Sequence, residues 1–150
     1  TYYLIGAHDH YDRLTSYRLD RIENLEISQS DAIDAVEKIG PNHELIIRKY
    51  IEESVNHFLG ETVRIEVEYK PEPATNAILY DFVGKNVSVQ KLENGNCRAV
   101  FYKMNSVTLL GWFMKYMDKF MVIEPQMLRE NIKTKLENTL EIMNNINGSQ

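Results

Sequence analysis

The chain has 150 residues, 43% of them apolar and 26% charged, which is enough for one good hydrophobic core or two small ones. A net charge of -5 argues against a fragment that holds duplex DNA by bulk charge, because backbone binding needs clustered Lys and Arg. No apolar run approaches the ~18 to 20 residues of a membrane span, no charged-then-apolar signal segment is seen, and with Cys97 as the one cysteine no intrachain disulfide can form; a reducing, cytoplasmic setting is the expectation.

In chain order, Tyr2-Tyr3-Leu4-Ile5 and Tyr17-Arg18-Leu19-Asp20-Arg21-Ile22 are β-rich runs on either side of a polar, acidic break, which predicts an antiparallel hairpin. An isolated hairpin is marginal in water. It is therefore expected to lean on missing partner strands or on a second copy. Thr1 opens the chain in a strand-like run without a Met, so the chain is expected to be a piece of a longer protein. Ser30-Asp31 can cap a short helix or helical turn through Ala32, Ile33, Ala35, Val36 and Ile39, with Gly40-Pro41 as its stop. From His43 to Leu59, Ile47, Ile51, Val55 and Phe58 recur at threes and fours, the pattern of an amphipathic helix that Gly60 would terminate.

Val63, Ile65, Val67 and Tyr69 alternate with Arg64, Glu66, Glu68 and Lys70, giving a strand with one dry and one wet face. Pro71 and Pro73 end it. Residues 74–83 read as a helix followed by Gly84, and 86–91 and 97–104 as strands joined by an Asn94-Gly95 turn. Asn105 or Ser106 caps a helix over 107–117, a short strand covers 120–123, and the last helix runs from Gln126 to about Asn144 on the stripe Leu128, Ile132, Leu136, Leu140, Met143. The order β-α-β-β-α-β from Thr62 is the ferredoxin-like one.

Tyr2-Tyr3-Leu4, with Tyr2 at the place of a Trp, followed by Tyr17-Arg18-Leu19-Asp20-Arg21-Ile22, resembles the second half of a WYL domain. Gly111-Trp112-Phe113, the strand Phe120-Met121-Val122-Ile123 and Glu124-Pro125 resemble the WCX extension that follows such domains. The resemblance implies the regulatory part of a bacterial transcription factor. Residues 1–29 would be a partial WYL domain, the hairpin of an Sm-like or SH3-like β-barrel; 30–61 would be a helical linker; and 62–150 would be a WCX-like ferredoxin-like domain with an extra C-terminal helix, the whole being α+β. It also implies a nucleic-acid or nucleotide-like anionic effector, a homodimer, and operator DNA held through an N-terminal helix-turn-helix that these residues do not include.

The first 22 residues carry Asp9, Asp12 and Asp20 against Arg13, Arg18 and Arg21, which cancel, so the acidic excess lies downstream and an anion site belongs near the amino end. Arg18 and Arg21 offer planar donor forks suited to phosphate, and Tyr3 and Tyr17 can stack on a base while donating from their hydroxyls. Strand parity is a difficulty: Tyr3 can share a face with Arg18, or Tyr17 with Arg21, but a regular strand cannot present all four together. His8 is a weaker candidate for the same ligand-binding site. A metal held by His8 and His10 would lack the three or four ligands a zinc site needs. Trp112 and Phe113 are adjacent on a helix and are not expected to share one interior, so a homodimer contact is expected to take one of them. No catalytic constellation and no cofactor fingerprint is present, so no enzyme is expected. Two further readings stand beside the regulator: a ferredoxin-like module that binds a small molecule or dimerises without nucleic acid, and a small metal-dependent enzyme built on His8 and His10.

Overall fold

The computed structural model describes residues 2–8, 11–56, 58 and 60–147; of His8, residues 11–13 and Asn147 only the backbone is described. The elements are β1 (Tyr3–His8), β2 (Tyr11–Arg18), a 3-10 turn (Leu19–Arg21), α1 (Ala35–Ile39), α2 (His43–Glu53), β3 (Thr62–Tyr69), α3 (Pro73–Val83), β4 (Ser88–Lys91), β5 (Cys97–Met104), α4 (Val107–Lys115), β6 (Phe120–Glu124) and α5 (Gln126–Asn147). The chain is α+β, with a two-stranded sheet β1-β2 and a four-stranded antiparallel sheet in the order β4-β5-β3-β6. With β3 and β5 central and both crossover connections helical, the second sheet has the ferredoxin-like arrangement expected from the sequence.

The alternation in β3 puts Ile65, Val67 and Tyr69 on the helix-bearing face, where Ala99 and Phe101 of β5 and Phe120 and Val122 of β6 join them. Leu79 and Val83 of α3, Leu109 and Phe113 of α4 and Leu128 of α5 close this core from above. Each fully buried Leu, Ile or Phe contributes about 1.5–3 kcal/mol relative to exposure. Pro73 occupies the first helical position of α3, where its missing N–H costs nothing, and the Ser106 hydroxyl accepts from the Leu109 amide at the start of α4.

Trp112 and Phe113 do share one interior, contrary to the expectation from their adjacency. Phe113 points into the core, while Trp112 stacks on Phe82 of α3 with ring centres 3.9 Å apart and meets Phe113 edge-on at 5.1 Å. The indole is wide enough to fill the seam between two helices from a flanking position.

The two helices before the sheet differ from expectation at their ends. α1 begins later than Ser30-Asp31: Asp34 is its N-cap, the carboxylate accepting from the Val36 amide at 2.8 Å. α2 stops at Glu53, six residues short of Leu59, because its last carbonyls find partners elsewhere. Ser54 turns extended, Asn56 takes a positive φ of 50°, and Val55 and Phe58 form a bridge. Glu52 O accepts from the Lys103 ammonium at 2.5 Å, and Val55 O accepts from Thr108 Oγ1 at 2.8 Å. The buried face of α2 also rotates. Tyr50 is its buried residue, while Ile51 and Phe58 of the expected stripe are exposed.

Candidate functional site

The site grows from the register of the hairpin. Tyr3 lies opposite Arg18, Ile5 opposite Ser16 and Ala7 opposite Leu14, so these six side chains share one face; Leu4 and Tyr17 face the other way and are exposed. The first face is the one that leans on the rest of the chain. Leu14 is buried, and the Ser16 and Tyr50 hydroxyls are 2.6 Å apart. The support expected from missing strands or from a second copy is thus supplied in part by α2 of the same chain.

Beyond Arg18 the chain leaves the strand. Leu19 N donates to Tyr2 O at 3.1 Å, and the 3-10 turn then carries Arg21 round the end of the hairpin. This turn frees Arg21 from the parity of the strand, whereas Tyr17, which precedes it, still faces away from Tyr3 and Arg18. Tyr3, Tyr17, Arg18 and Arg21 all line one cavity of about 540 Å³, together with Ser16, Ile22, Asn56 and Phe58. Four of the five expected ligand-binding residues are therefore brought together. The fifth, His8, ends β1, and its side chain lies outside the described residues, as does the metal reading that joins it to His10. Among the described residues no group of three or more His, Cys, Asp or Glu could hold a metal ion.

The electrostatics of the cavity are mixed but net positive. Arg18 binds Asp20 through both sides of its fork, Nε to Oδ1 at 3.0 Å and Nη2 to Oδ2 at 2.5 Å. The hydrogen bond and charge of Asp20 hold the Arg18 guanidinium above its ordinary pKa, and the hydrogen bond from Arg18 holds the Asp20 carboxyl below the usual carboxylate range. Arg21 makes no salt bridge among the described residues. Two guanidinium groups against one carboxylate leave a charge of +1 on the turn. An incoming anion can pair with Arg21 directly and displace Asp20 from Arg18, both ends of that pair being solvent-exposed and weakly held.

Asn56 and Phe58 are the wall that sequence reasoning missed, because both fell inside the helix expected over 43–59. The signal was the pair Ser54 and Asn56, poor helix formers, with Asn among the non-glycine residues most tolerant of positive φ. This wall is fastened to the four-stranded sheet. Besides the Lys103 and Thr108 bonds, Thr62 Oγ1 donates to Glu53 Oε2 at 2.5 Å and Asn86 Nδ2 to Glu52 Oε2 at 2.8 Å.

Lys103 is the central clamp. It is 6% exposed, its ammonium caps α2 and lies 5.2 Å from the centre of the Phe82 ring, and desolvation lowers its pKa despite the nearby charges of Glu53 and Glu52. Lys103→Met should lower the unfolding free energy at pH 7 by about 1–2 kcal/mol, since a helix carbonyl then loses its donor. Because the folded chain releases this proton before the unfolded chain does, stability contributed by Lys103 rises with pH through the interval up to the unfolded value near ~10.5. The difference between wild type and Lys103→Met in urea denaturation should therefore widen as pH climbs through that interval. A difference that shrinks would contradict the buried ammonium.

The opposite face of the four-stranded sheet is a ladder of paired charges in which the buried Arg98 Nε alone is left without a hydrogen-bond partner among the described residues. Glu66 accepts from Arg64 at 3.0 Å and Arg98 at 3.2 Å, while hydrogen bonds from Asn96 and Asn94 hold the Glu68 carboxyl below its usual range. No family model and no curated protein matches the chain.

Proposed function

We propose that the chain is the effector-sensing and dimerisation region of a cytoplasmic bacterial transcription regulator of the WYL type, its hairpin cavity binding a nucleotide or short single strand of nucleic acid. The observation that carries the reading is the cavity that gathers Arg18 and Arg21 beside Tyr3 and Tyr17. Guanidinium groups take the phosphate in a bidentate manner, and a tyrosine or Phe58 offers a surface for a base to stack on. The net negative chain does not hold operator DNA by itself; a helix-turn-helix outside these residues does that, and the dimer sets the spacing of two such heads.

The relay follows from the two-sided wall. A ligand that draws Arg18 from Asp20 and presses on Asn56 and Phe58 acts on a segment that Lys103, Thr62 and Thr108 fasten to the sheet. Labelled single-stranded oligonucleotides and nucleotides titrated against wild type and the double variant Arg18→Ala plus Arg21→Ala test the binding. Two charge-assisted contacts at the low end of their range, about 1.5 kcal/mol each, correspond to a loss of about 100-fold. Equal binding by both proteins would end the proposal.

A further inference from the structure

The turn between β4 and β5 holds a reactive pair that neither the core nor the cavity uses. In Asn94-Gly95 the backbone nitrogen after the asparagine belongs to a glycine, so no side chain shields it from the neighbouring carboxamide carbon. Both residues are exposed, and water reaches them. The ordinary chemistry of such a pair is ring closure. Gly95 N attacks Asn94 Cγ, the new C–N bond replaces the Cγ–Nδ2 bond, and Nδ2 leaves as ammonia with the proton that Gly95 N gives up. Water then opens the cyclic imide at either carbonyl, which leaves aspartate or its β-linked isomer.

The fold engages each group that this closure has to move. Asn94 Nδ2 donates to Glu68 Oε1 at 3.0 Å, Asn94 Oδ1 accepts from Asn96 N at 3.0 Å, and Gly95 N donates to Leu92 O at 3.1 Å. Asn96 Nδ2 donates to the same Glu68 oxygen at 2.8 Å and so helps to fix the carboxylate over the turn. Turning the carboxamide face toward Gly95 N breaks the first two bonds, and the attack removes the proton from the third. We propose that Asn94 is a modification site latched by Glu68, closed while the β4–β5 hairpin is paired and converted to aspartate or isoaspartate when that hairpin opens. The product does not fit the latch. A carboxylate at position 94 sets like charge against Glu68 and removes one of the two amide donors that hold the Glu68 carboxyl below its usual range. Conversion therefore weakens the edge of the sheet that had prevented it, and the reaction both records how often this edge has opened and feeds itself. The site stands apart from the hairpin cavity and owes nothing to its ligand.

Incubation of the whole chain at mildly alkaline pH, then trypsin and mass spectrometry of the peptide from Leu92 to Arg98, tests it. In the folded wild type Asn94 should convert at least about 10-fold more slowly than in the same chain held unfolded in guanidinium chloride, the effect of about one charge-assisted bond on the population of the reacting conformer. Glu68→Ala, checked by circular dichroism for an intact fold, should convert several-fold faster than wild type, and Glu68→Gln, which keeps an acceptor, should fall between them. Asn96 in the same peptide, followed by Cys97 rather than a glycine, should convert far less in either state. Asn94→Asp, made to mimic the product, should unfold at lower urea concentration than wild type at neutral pH, with the gap closing as the carboxylates protonate in acid. Equal conversion in the folded and unfolded chain, no conversion in either, or a folded Glu68→Ala no faster than wild type would overturn the proposal. An Asn94→Asp variant as stable as wild type at neutral pH would overturn its self-reinforcing step.

Discussion

Phe101→Ala should lower the unfolding free energy by about 3–5 kcal/mol, a large part of what holds an ordinary domain folded. Phe101 lies on the central strand β5, 1% exposed, opposite Ile65 of β3 and edge-on to Phe82 of α3 at 6.2 Å. Truncation removes the transfer energy of a ring and leaves a cavity beneath two helices that cannot both move inward, because Phe82 is already stacked on Trp112. The neighbouring Val100→Ala, on the charged face, should cost less than about 1 kcal/mol. Urea denaturation followed by far-ultraviolet circular dichroism measures both. A loss under about 1.5 kcal/mol at Phe101 would mean that the layer over β5 can collapse, against the packing described.

Gly60→Ala should cost about 3 kcal/mol or more through a different cause. A Cβ at this position would come within 1.9 Å of the Asn105 carbonyl oxygen, and backbone, unlike a flexible side chain, cannot step aside cheaply. Here Asn105 N donates to Glu61 O at 2.8 Å, so the close approach belongs to the seam that joins the linker to the start of α4. The proper control is Gly84→Ala. Gly84 has a φ of +69° and a ψ of −145° but open space around it, so only the conformational penalty of about 1–3 kcal/mol applies. A Gly60→Ala variant no worse than Gly84→Ala would show that the seam is looser than its distances.

The contrast between the two glycines shows where the sequence is readable. Gly84 ends α3 and Gly95 turns the chain between β4 and β5, each with a positive φ, and local punctuation of that sort was visible in the chain, as was the strict alternation of Val63 to Tyr69. Gly60 looked like one more helix stop. It proved to be a space left for a carbonyl 45 residues away, which no local pattern encodes. The same limit explains the end of α2. The period of Ile47, Ile51, Val55 and Phe58 is helical, but Lys103 and Thr108 reach in from distant elements and capture the carbonyls that the last turn would have carried onward.

For the site, residue chemistry pointed to Tyr3, Tyr17, Arg18 and Arg21; Arg21 joins Tyr3 and Arg18 at the cavity by way of a 3-10 turn that the strand pattern did not announce, while Tyr17 keeps to the other face of the hairpin. Asp20, which in the sequence counted toward the charge balance of the first 22 residues, is the bidentate partner of Arg18 in the structure. Asn56 and Phe58 remained hidden because they lie in the stretch whose helix never forms. Trp112 is the opposite case: adjacency to Phe113 suggested two destinations, and the size of the indole allowed one.

The placement of that indole also decides what optical methods can see. The chain has one tryptophan against nine tyrosines, and the tryptophan sits in the aromatic stack between α3 and α4. Its emission monitors melting of the four-stranded unit alone, so a transition in which the hairpin lifts from Tyr50 while the larger core persists would pass unseen by tryptophan and would register only in the phenolic signal.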